Sequence, residues 1–105
     1  MAIAGVDLIV PHVGLTTGGT IGAKNALSLD EAALATQAMI VAAREVNPTV
    51  IALAHGGPIA EPAEVAYILK HTDAQGFVGA SSTERLPVER AIVKVVKDLK
   101  ALPLK

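Results

Sequence analysis

The sequence has no cysteine and no tryptophan, and its only phenylalanine and tyrosine give an aromatic fraction of 2%. Without cysteine, disulfide bonds, thiolate metal sites and cysteine nucleophiles are excluded. A core must then be built from alanine, valine, isoleucine and leucine, the residues that fill parallel sheets covered by helices. The composition therefore favours an α/β fold, and the length of 105 residues allows one domain, residues 1–105.

Charge of one sign and long apolar runs are also missing. The formal net charge is −1, and lysine and arginine are spread along the chain, so no nucleic-acid partner is predicted. No apolar run approaches the roughly 20 residues of a membrane span, so no membrane contact is predicted. The N-terminus has no positive segment before its apolar stretch, which argues against a secretory signal. We expect a cytoplasmic location.

Three short apolar runs are present, at residues 6–10, 50–54 and 76–80. Each has strand length, is almost continuously apolar and is bounded by glycine, proline or threonine. Such runs are typical of parallel strands that are buried on both faces.

Helical patterns follow each run. Ser28 and Glu31 have the spacing of a capping box, and the helix behind them is predicted to stop at Asn47 and Pro48. A second helix is predicted from Glu61 and Pro62 to about His71. A third begins at Pro87 and carries an apolar stripe formed by Val88, Ile92, Val95, Leu99 and Leu102.

The order β-α-β-α-β-α predicts a parallel sheet with right-handed crossovers. Three such strands leave two open edges, which invite pairing with other chains. The pattern therefore indicates part of a larger sheet, and we expect oligomerisation or poor solubility.

Unusual residues follow the strands at their C-terminal ends, where parallel α/β folds place their function. His12 and His55 each come just after a strand. Histidine can act as a base, an electrophile or a metal ligand, and a structural role in hydrogen bonding is the alternative. No third ligand is evident, so no metal site is predicted.

Two sets of loop residues are candidates for binding an anion. The first is a long loop after the first strand, which is either a ligand contact or a flexible entry into the capped helix; its candidates are Thr16, Thr17, Gly18 and Gly19. The second follows the other two strands, and the alternative is tight turns with serine as a helix cap. Its candidates for phosphate are Gly56, Gly57, Gly79, Ser81 and Ser82.

Glu84 and Arg85 lie in the last loop, immediately before a helix. Glu84 is a candidate acid or base, and Arg85 a candidate clamp for a carboxylate or phosphate. The alternative is a surface ion pair, which contributes about 0–1 kcal/mol.

Long motifs in these loops resemble the phosphoenolpyruvate hydrolase-like family. They are residues 12–23 (HVGLTTGGTIGA), 26–29 (ALSL), 55–60 (HGGPIA) and 76–89 (GFVGASSTERLPVE). The resemblance covers essentially the whole chain. It implies the last three β-α units of a (β/α)₈ TIM barrel. Related domains form the C-terminal part of larger two-domain proteins, including plant tobamovirus-resistance proteins.

The family name implies hydrolysis of phosphoenolpyruvate or phosphonopyruvate. The resemblance carries over most strongly to the glycine and serine loops and to His12, His55, Glu84 and Arg85. A likeness to mutase-type barrels implies Mg²⁺ in the complete barrel, with carboxylate ligands from earlier strands. No cofactor is evident in this chain, because those strands are absent and nothing in the 105 residues replaces them.

Three hypotheses follow. The chain is a fragment or truncated form of a barrel enzyme that hydrolyses or lyses a small phospho- or phosphono-carboxylate. Alternatively, it is a non-catalytic module that binds such an anion. In the third, it is a structural module that completes a barrel with another chain or forms a homo-oligomer.

Overall fold

The computed structural model describes residues 1–103, and the last two residues of the predicted domain 1–105 lie outside this range. The fold is α/β, as predicted. A 3₁₀ turn at Ala2–Ala4 precedes seven elements, which are β1 Leu8–Ile9, α1 Leu29–Val46, β2 Ile51–Ala54, α2 Pro62–His71, β3 Gly76–Phe77, α3 Ser81–Glu84 and α4 Leu86–Lys100.

The strands form one parallel sheet in the order β1-β2-β3, which confirms the predicted parallel arrangement. Leu8 lies opposite Ile51, and Ala54 lies opposite Phe77. The two outer strands have two residues each, fewer than the five predicted. Each outer strand is paired on one side only, so half of its backbone N–H and C=O groups have no partner strand.

Helix α1 begins as the sequence predicts. The Ser28 hydroxyl accepts from the Glu31 amide at 3.2 Å, and the Glu31 carboxylate accepts from the Ser28 amide at 2.7 Å. The hydrogen bond from the Ser28 amide is the main reason that the pKa of Glu31 is lowered. The helix ends at Val46, before Asn47 and Pro48, and its buried face is Ala32, Ala33, Thr36 and Ile40.

Helix α2 has the predicted bounds. Pro62 is its first residue, where a missing N–H costs nothing, and Glu61 caps it together with Glu64. The Tyr67 hydroxyl donates to Asp30 of α1, which joins the two helices and raises the pKa of the tyrosine. Ile68 is fully buried against the sheet.

The sheet is buried on one face. Ile9, Ala52 and Ala54 belong to the core that α1 and α2 cover. On the other face Leu8, Val10 and Ile51 keep 42%, 38% and 42% of their surface exposed. The prediction that the strands are buried on both faces is therefore wrong for residues 1–103, because all of the covering helices that pack on the core lie on one side.

The third predicted helix is α4, which starts at Leu86, one residue before the predicted start. The four-residue helix α3 precedes it, in the stretch that was predicted to be a loop. The predicted stripe on α4 is present but uncovered, with Val88, Ile92, Val95 and Leu99 between 56% and 61% exposed. The chain is consequently elongated, with a radius of gyration of 17.5 Å. A compact domain of this length has about 13 Å.

None of the helices within residues 1–103 is both long enough and apolar enough to cross a membrane.

Candidate functional site

The C-terminal ends of β1 and β2 bring two histidines together. Beyond the strands, the parallel alignment resumes at a bridge between His12 and His55. The Val13 amide donates to the His55 carbonyl at 3.1 Å and holds the two segments in register. The imidazole centroids are 4.9 Å apart, and the ring planes meet at 70°, edge to face. The sequence predicts that each histidine follows a strand, and the structure shows that the two rings are adjacent.

The two imidazoles have opposite protonation patterns, assigned from their backbone partners. The Gly14 amide donates to Nδ1 of His12 at 3.2 Å. This nitrogen is therefore an acceptor, and in the neutral ring Nε2 carries the proton. Nδ1 of His55 lies 2.7 Å from the Val78 carbonyl, which can only accept. His55 must carry its proton on Nδ1, and its neutral ring leaves a lone pair on Nε2.

Gly56 and Gly57 allow the loops after β1 and β2 to touch. Both have positive φ, 86° and 57°. A Cβ on Gly57 would lie 2.6 Å from the Val13 carbonyl oxygen, and one on Gly56 would overlap the carbonyl oxygen of Gly14. The Gly57 amide donates to Gly14 at 2.7 Å. These glycines therefore support the histidine pair, and the Gly57 amide is already bonded within the protein.

The long loop after β1 is closed at its base. The Ala23 amide donates to the Thr16 carbonyl at 3.3 Å, and the Thr17 amide donates to the Gly57 carbonyl at 3.2 Å. Gly18 and Gly19 have φ values of 84° and 73°, which a residue with a Cβ rarely adopts. Backbone hydrogen bonds thus tie this loop to itself and to the loop after β2.

Four residues join the tip of this loop to the start of α4, and we call them the loop clasp: Gly18, Thr20, Arg85 and Glu89. The Thr20 amide donates to Oε1 of Glu89 at 2.6 Å. Arg85 donates from Nη1 to Oε2 of Glu89 at 2.9 Å and from Nη2 to the Gly18 carbonyl at 3.3 Å. The hydrogen bond from Thr20 is the largest cause that lowers the pKa of Glu89.

The loop clasp changes the interpretation of Arg85. Its guanidinium is already paired with a carboxylate of the protein, so in this structure it does not point a free charge at a ligand. Glu89 was not among the predicted site residues. The available signal was its position four residues after Arg85, the spacing at which opposite charges meet on a helix.

The third loop contributes in a more limited way. Ser81 and Ser82 open α3, whose N-cap is Ala80, so neither serine is the helix cap that was the alternative. Ser82 is buried, and Glu84, which was predicted to lie in the loop, is the exposed last residue of α3. The third loop contacts the histidine pair through the Val78 carbonyl, which accepts a hydrogen bond from Nδ1 of His55.

Gly79 packs against Thr83, where a Cβ would lie 2.6 Å from the threonine methyl group. This close approach positions the turn into α3, and it is a packing role for a glycine predicted to bind phosphate.

The profile of the phosphoenolpyruvate hydrolase-like family matches residues 1–102. The chain belongs to this family. It is 53% identical over 105 residues to the ToMV susceptible protein tm-1(GCR26) of Solanum lycopersicum, and 52% identical to the ToMV resistance protein Tm-1(GCR237) of the same plant. These alignments cover 99% of the chain and 14% of each tomato protein.

This phosphoenolpyruvate hydrolase-like chain is also 30% identical over 101 residues to the putative transcriptional regulatory protein y4pA of Sinorhizobium fredii. That match covers 96% of the chain and 17% of the relative. The chain therefore spans a small part of each relative, and the predicted resemblance to plant tobamovirus-resistance proteins is confirmed.

A Mg²⁺ site can be sought among the side chains of residues 1–103. Within residues 1–103 no group of three or more histidine, aspartate or glutamate side chains is arranged to hold a metal ion. His12 and His55 offer nitrogen ligands, whereas Mg²⁺ prefers oxygen ligands. The fit of this metal to the described residues is therefore poor, and no chemical step is derived from it.

Proposed function

We propose that the chain supplies the last three β-α units of a (β/α)₈ barrel whose mouth binds a small phospho- or phosphono-carboxylate. The observation that carries the proposal is the pairing of His12 and His55 at the C-terminal edge of a parallel sheet. In barrels this edge is the ligand-binding end. The family description supports the choice of a phosphoenolpyruvate-like ligand.

The open face of the sheet supports the barrel. In a closed barrel the inward side chains of neighbouring strands fill the interior in layers. Leu8, Val10 and Ile51 have the alternation and the apolar character of such inward residues, and in this chain they are exposed. Further strand–helix units of a barrel would cover them.

In the proposed complex, the histidine imidazoles contact the phosphorus oxyanion or the carbonyl group of the ligand. Ser81 and Ser82 supply hydroxyl donors from the third loop, and the loop of Thr16, Thr17, Gly18 and Gly19 encloses the ligand from the other side. Arg85 would pair with the ligand carboxylate only after leaving Glu89. Glu84 is the proposed acid or base of this loop, since its carboxylate is exposed.

Calorimetry with phosphoenolpyruvate and phosphonopyruvate tests this function, together with an assay for pyruvate and released phosphate. The expected result is binding that His55→Asn weakens about tenfold or more, while His71→Asn leaves it unchanged. His71 is a suitable control because it bonds to the Tyr67 carbonyl within α2, away from the mouth. Binding with product release would support an enzyme, binding alone would support a regulatory module, and absence of binding would remove the proposal.

A second candidate is a module that completes a barrel with another chain. The observation that favours it is the apolar stripe of α4, which is exposed along the whole helix. A cavity of about 340 Å³ beside β1, lined by Ile9, Met39 and Val46 among others, is a second uncovered apolar surface. Both β1 and β3 are open edges of the sheet. The proposed occupant of these surfaces is the remaining strand–helix units of the barrel.

Coexpression of the chain with the other units of a tomato relative tests this second role. A stable complex with a defined stoichiometry would support it, and separate migration of the two parts would contradict it. A homo-oligomer of the chain alone would indicate that a second copy takes the same place. The cytoplasmic location also stays a prediction, which fractionation of cells that express the chain would check.

A further inference from the structure

We propose that the histidine pair selects oxyanions that still carry a proton, such as phosphate or a singly protonated phosphonate, over fully deprotonated oxyanions of the same shape, such as sulfate. This inference rests on the proposed function and specifies the ligand group that the mouth recognises. Its basis is that the pair offers one N–H donor and one lone pair, in place of two donors.

The donor belongs to His12. Its Nδ1 accepts from the Gly14 amide at 3.2 Å, a bond that exists only when Nδ1 has no proton. The neutral ring therefore presents Nε2–H. Gly14 is itself fixed, because its carbonyl accepts from the Gly57 amide at 2.7 Å. The tautomer of His12 is thus set by the loop after β1, which is hydrogen-bonded to the loop after β2.

The acceptor belongs to His55. The Val78 carbonyl, at 2.7 Å, requires a proton on Nδ1, and the neutral ring then has a lone pair on Nε2. The His55 side chain is partly buried, and the hydrogen bond of its Nδ1 to the Val78 carbonyl sets the orientation of the ring. A ligand that meets Nε2 of the neutral His55 ring must donate a hydrogen bond to be held there.

The two rings are close enough to contact one small tetrahedral anion, since their centroids are 4.9 Å apart. Phosphate at neutral pH keeps at least one hydroxyl, so it can accept from His12 and donate to His55 at the same time. Sulfate has only acceptor oxygens, which would face the lone pair of His55. Arg85 does not remove this difference, because its charge is paired with Glu89 at 2.9 Å.

The mismatch with sulfate leaves one acceptor of the site unsatisfied, a defect that weakens binding by about tenfold or more. The experiment titrates the 105-residue chain at pH 7 and constant ionic strength with sodium phosphate and, separately, with sodium sulfate. The ¹⁵N resonances of the imidazoles report which histidines respond. We expect phosphate to bind at least about tenfold more tightly than sulfate, with shifts at His12 and His55 and none at His71.

His55→Asn is the diagnostic variant. Its side-chain amide can still donate to the Val78 carbonyl, but it leaves no lone pair where Nε2 was. The expected result is a phosphate affinity that falls to the level of sulfate. A circular dichroism spectrum and melting curve like those of the wild type, with His71→Asn as the matched control, will show that the variant is folded.

The possible outcomes separate the two proposals. Equal binding of phosphate and sulfate by the wild type, or tighter binding of sulfate, overturns the selectivity and leaves an anion-binding mouth. Preference for phosphate that persists in His55→Asn also overturns it, because the acceptor would then lie elsewhere. Binding of neither anion overturns this inference, whereas the proposed function is decided separately by the calorimetry with phosphoenolpyruvate and phosphonopyruvate.

Discussion

The amide of Thr20 donates a hydrogen bond to the carboxylate of Glu89, 69 residues further along the chain, at 2.6 Å. The same carboxylate pairs with Arg85, whose other nitrogen holds the Gly18 carbonyl. One glutamate thus fixes the tip of the loop after β1 against the first turn of α4. The carboxylate is bound by a backbone amide and a guanidinium, the two kinds of donor that an external anion would use.

The loop clasp should open in acid. Because the pKa of Glu89 lies below its ordinary value of 4.5, the clasp is fully formed above that pH and is lost as the pH falls through the lower value of the folded state. The amide proton shift of Thr20, followed by NMR, is expected to titrate with a midpoint below 4.5. Glu89→Gln should abolish this titration.

A control is available for that measurement. The pKa of Glu31 is lowered as well, by the Ser28 amide at the start of α1. Glu31→Gln should leave the Thr20 titration unchanged. A Thr20 shift that still titrates in Glu89→Gln, or that disappears in Glu31→Gln, would show that another carboxyl group controls the loop.

Gly57 is expected to be intolerant of a side chain. Gly57→Ala combines a left-handed backbone, which costs about 1–2 kcal/mol for an L-residue, with a Cβ placed 2.6 Å from the Val13 carbonyl oxygen. Gly5→Ala is the matched control, since Gly5 has φ 81° and nothing within 4 Å of its Cβ position. Chemical denaturation should show that Gly57→Ala lowers the free energy of unfolding more than Gly5→Ala does, by about 1 kcal/mol or more. Equal losses of unfolding free energy would mean that the close contact between Gly57 and Val13 does not contribute to stability.

Thr36 lies in the core with a hydroxyl that has no hydrogen-bond partner within the described residues. Its side chain is 0% exposed on the buried face of α1. Thr36→Val has nearly the same shape and removes the unsatisfied group, so we expect stabilisation of about 1 kcal/mol. Denaturant unfolding of the two proteins measures the difference. Destabilisation of similar size would indicate that the hydroxyl has a partner in solution.

The stripe of α4 should control self-association. Ile92 is apolar and 58% exposed. Lys97, a charged residue of the same helix, provides a control position. Ile92→Gln is expected to lower the sedimentation coefficient at high concentration and to reduce binding of a hydrophobic dye. Lys97→Gln, the control, should have little effect. Association that is unchanged in Ile92→Gln would place the contact on another surface.

Local signals in the sequence were sufficient for much of the fold. The capping box of Ser28, the stop before Pro48 and the start of α2 at Pro62 depend on interactions within a few residues, so they could be predicted. The meeting of His12 and His55 followed from their matching positions after parallel strands.

Other features depend on contacts that no local pattern contains. The clasp joins Thr20 to Glu89 across most of the chain, and the sequence gives no measure of such a distance. Apolar strands predicted a sheet covered on both faces, but burial depends on how many units surround the sheet. Leu8 and Ile51 are exposed because α1 and α2 cover the opposite face of the sheet.

The tautomers of the two histidines are the most direct test of the proposed mouth. Long-range ¹H–¹⁵N correlation spectra of the imidazoles at neutral pH distinguish a proton on Nδ1 from a proton on Nε2. We predict Nε2–H for His12, since Nδ1 accepts from Gly14, and Nδ1–H for His55, since its partner is the Val78 carbonyl. The same tautomer on both rings, or a proton on Nε2 of a neutral His55, would contradict a mouth built from one donor and one acceptor.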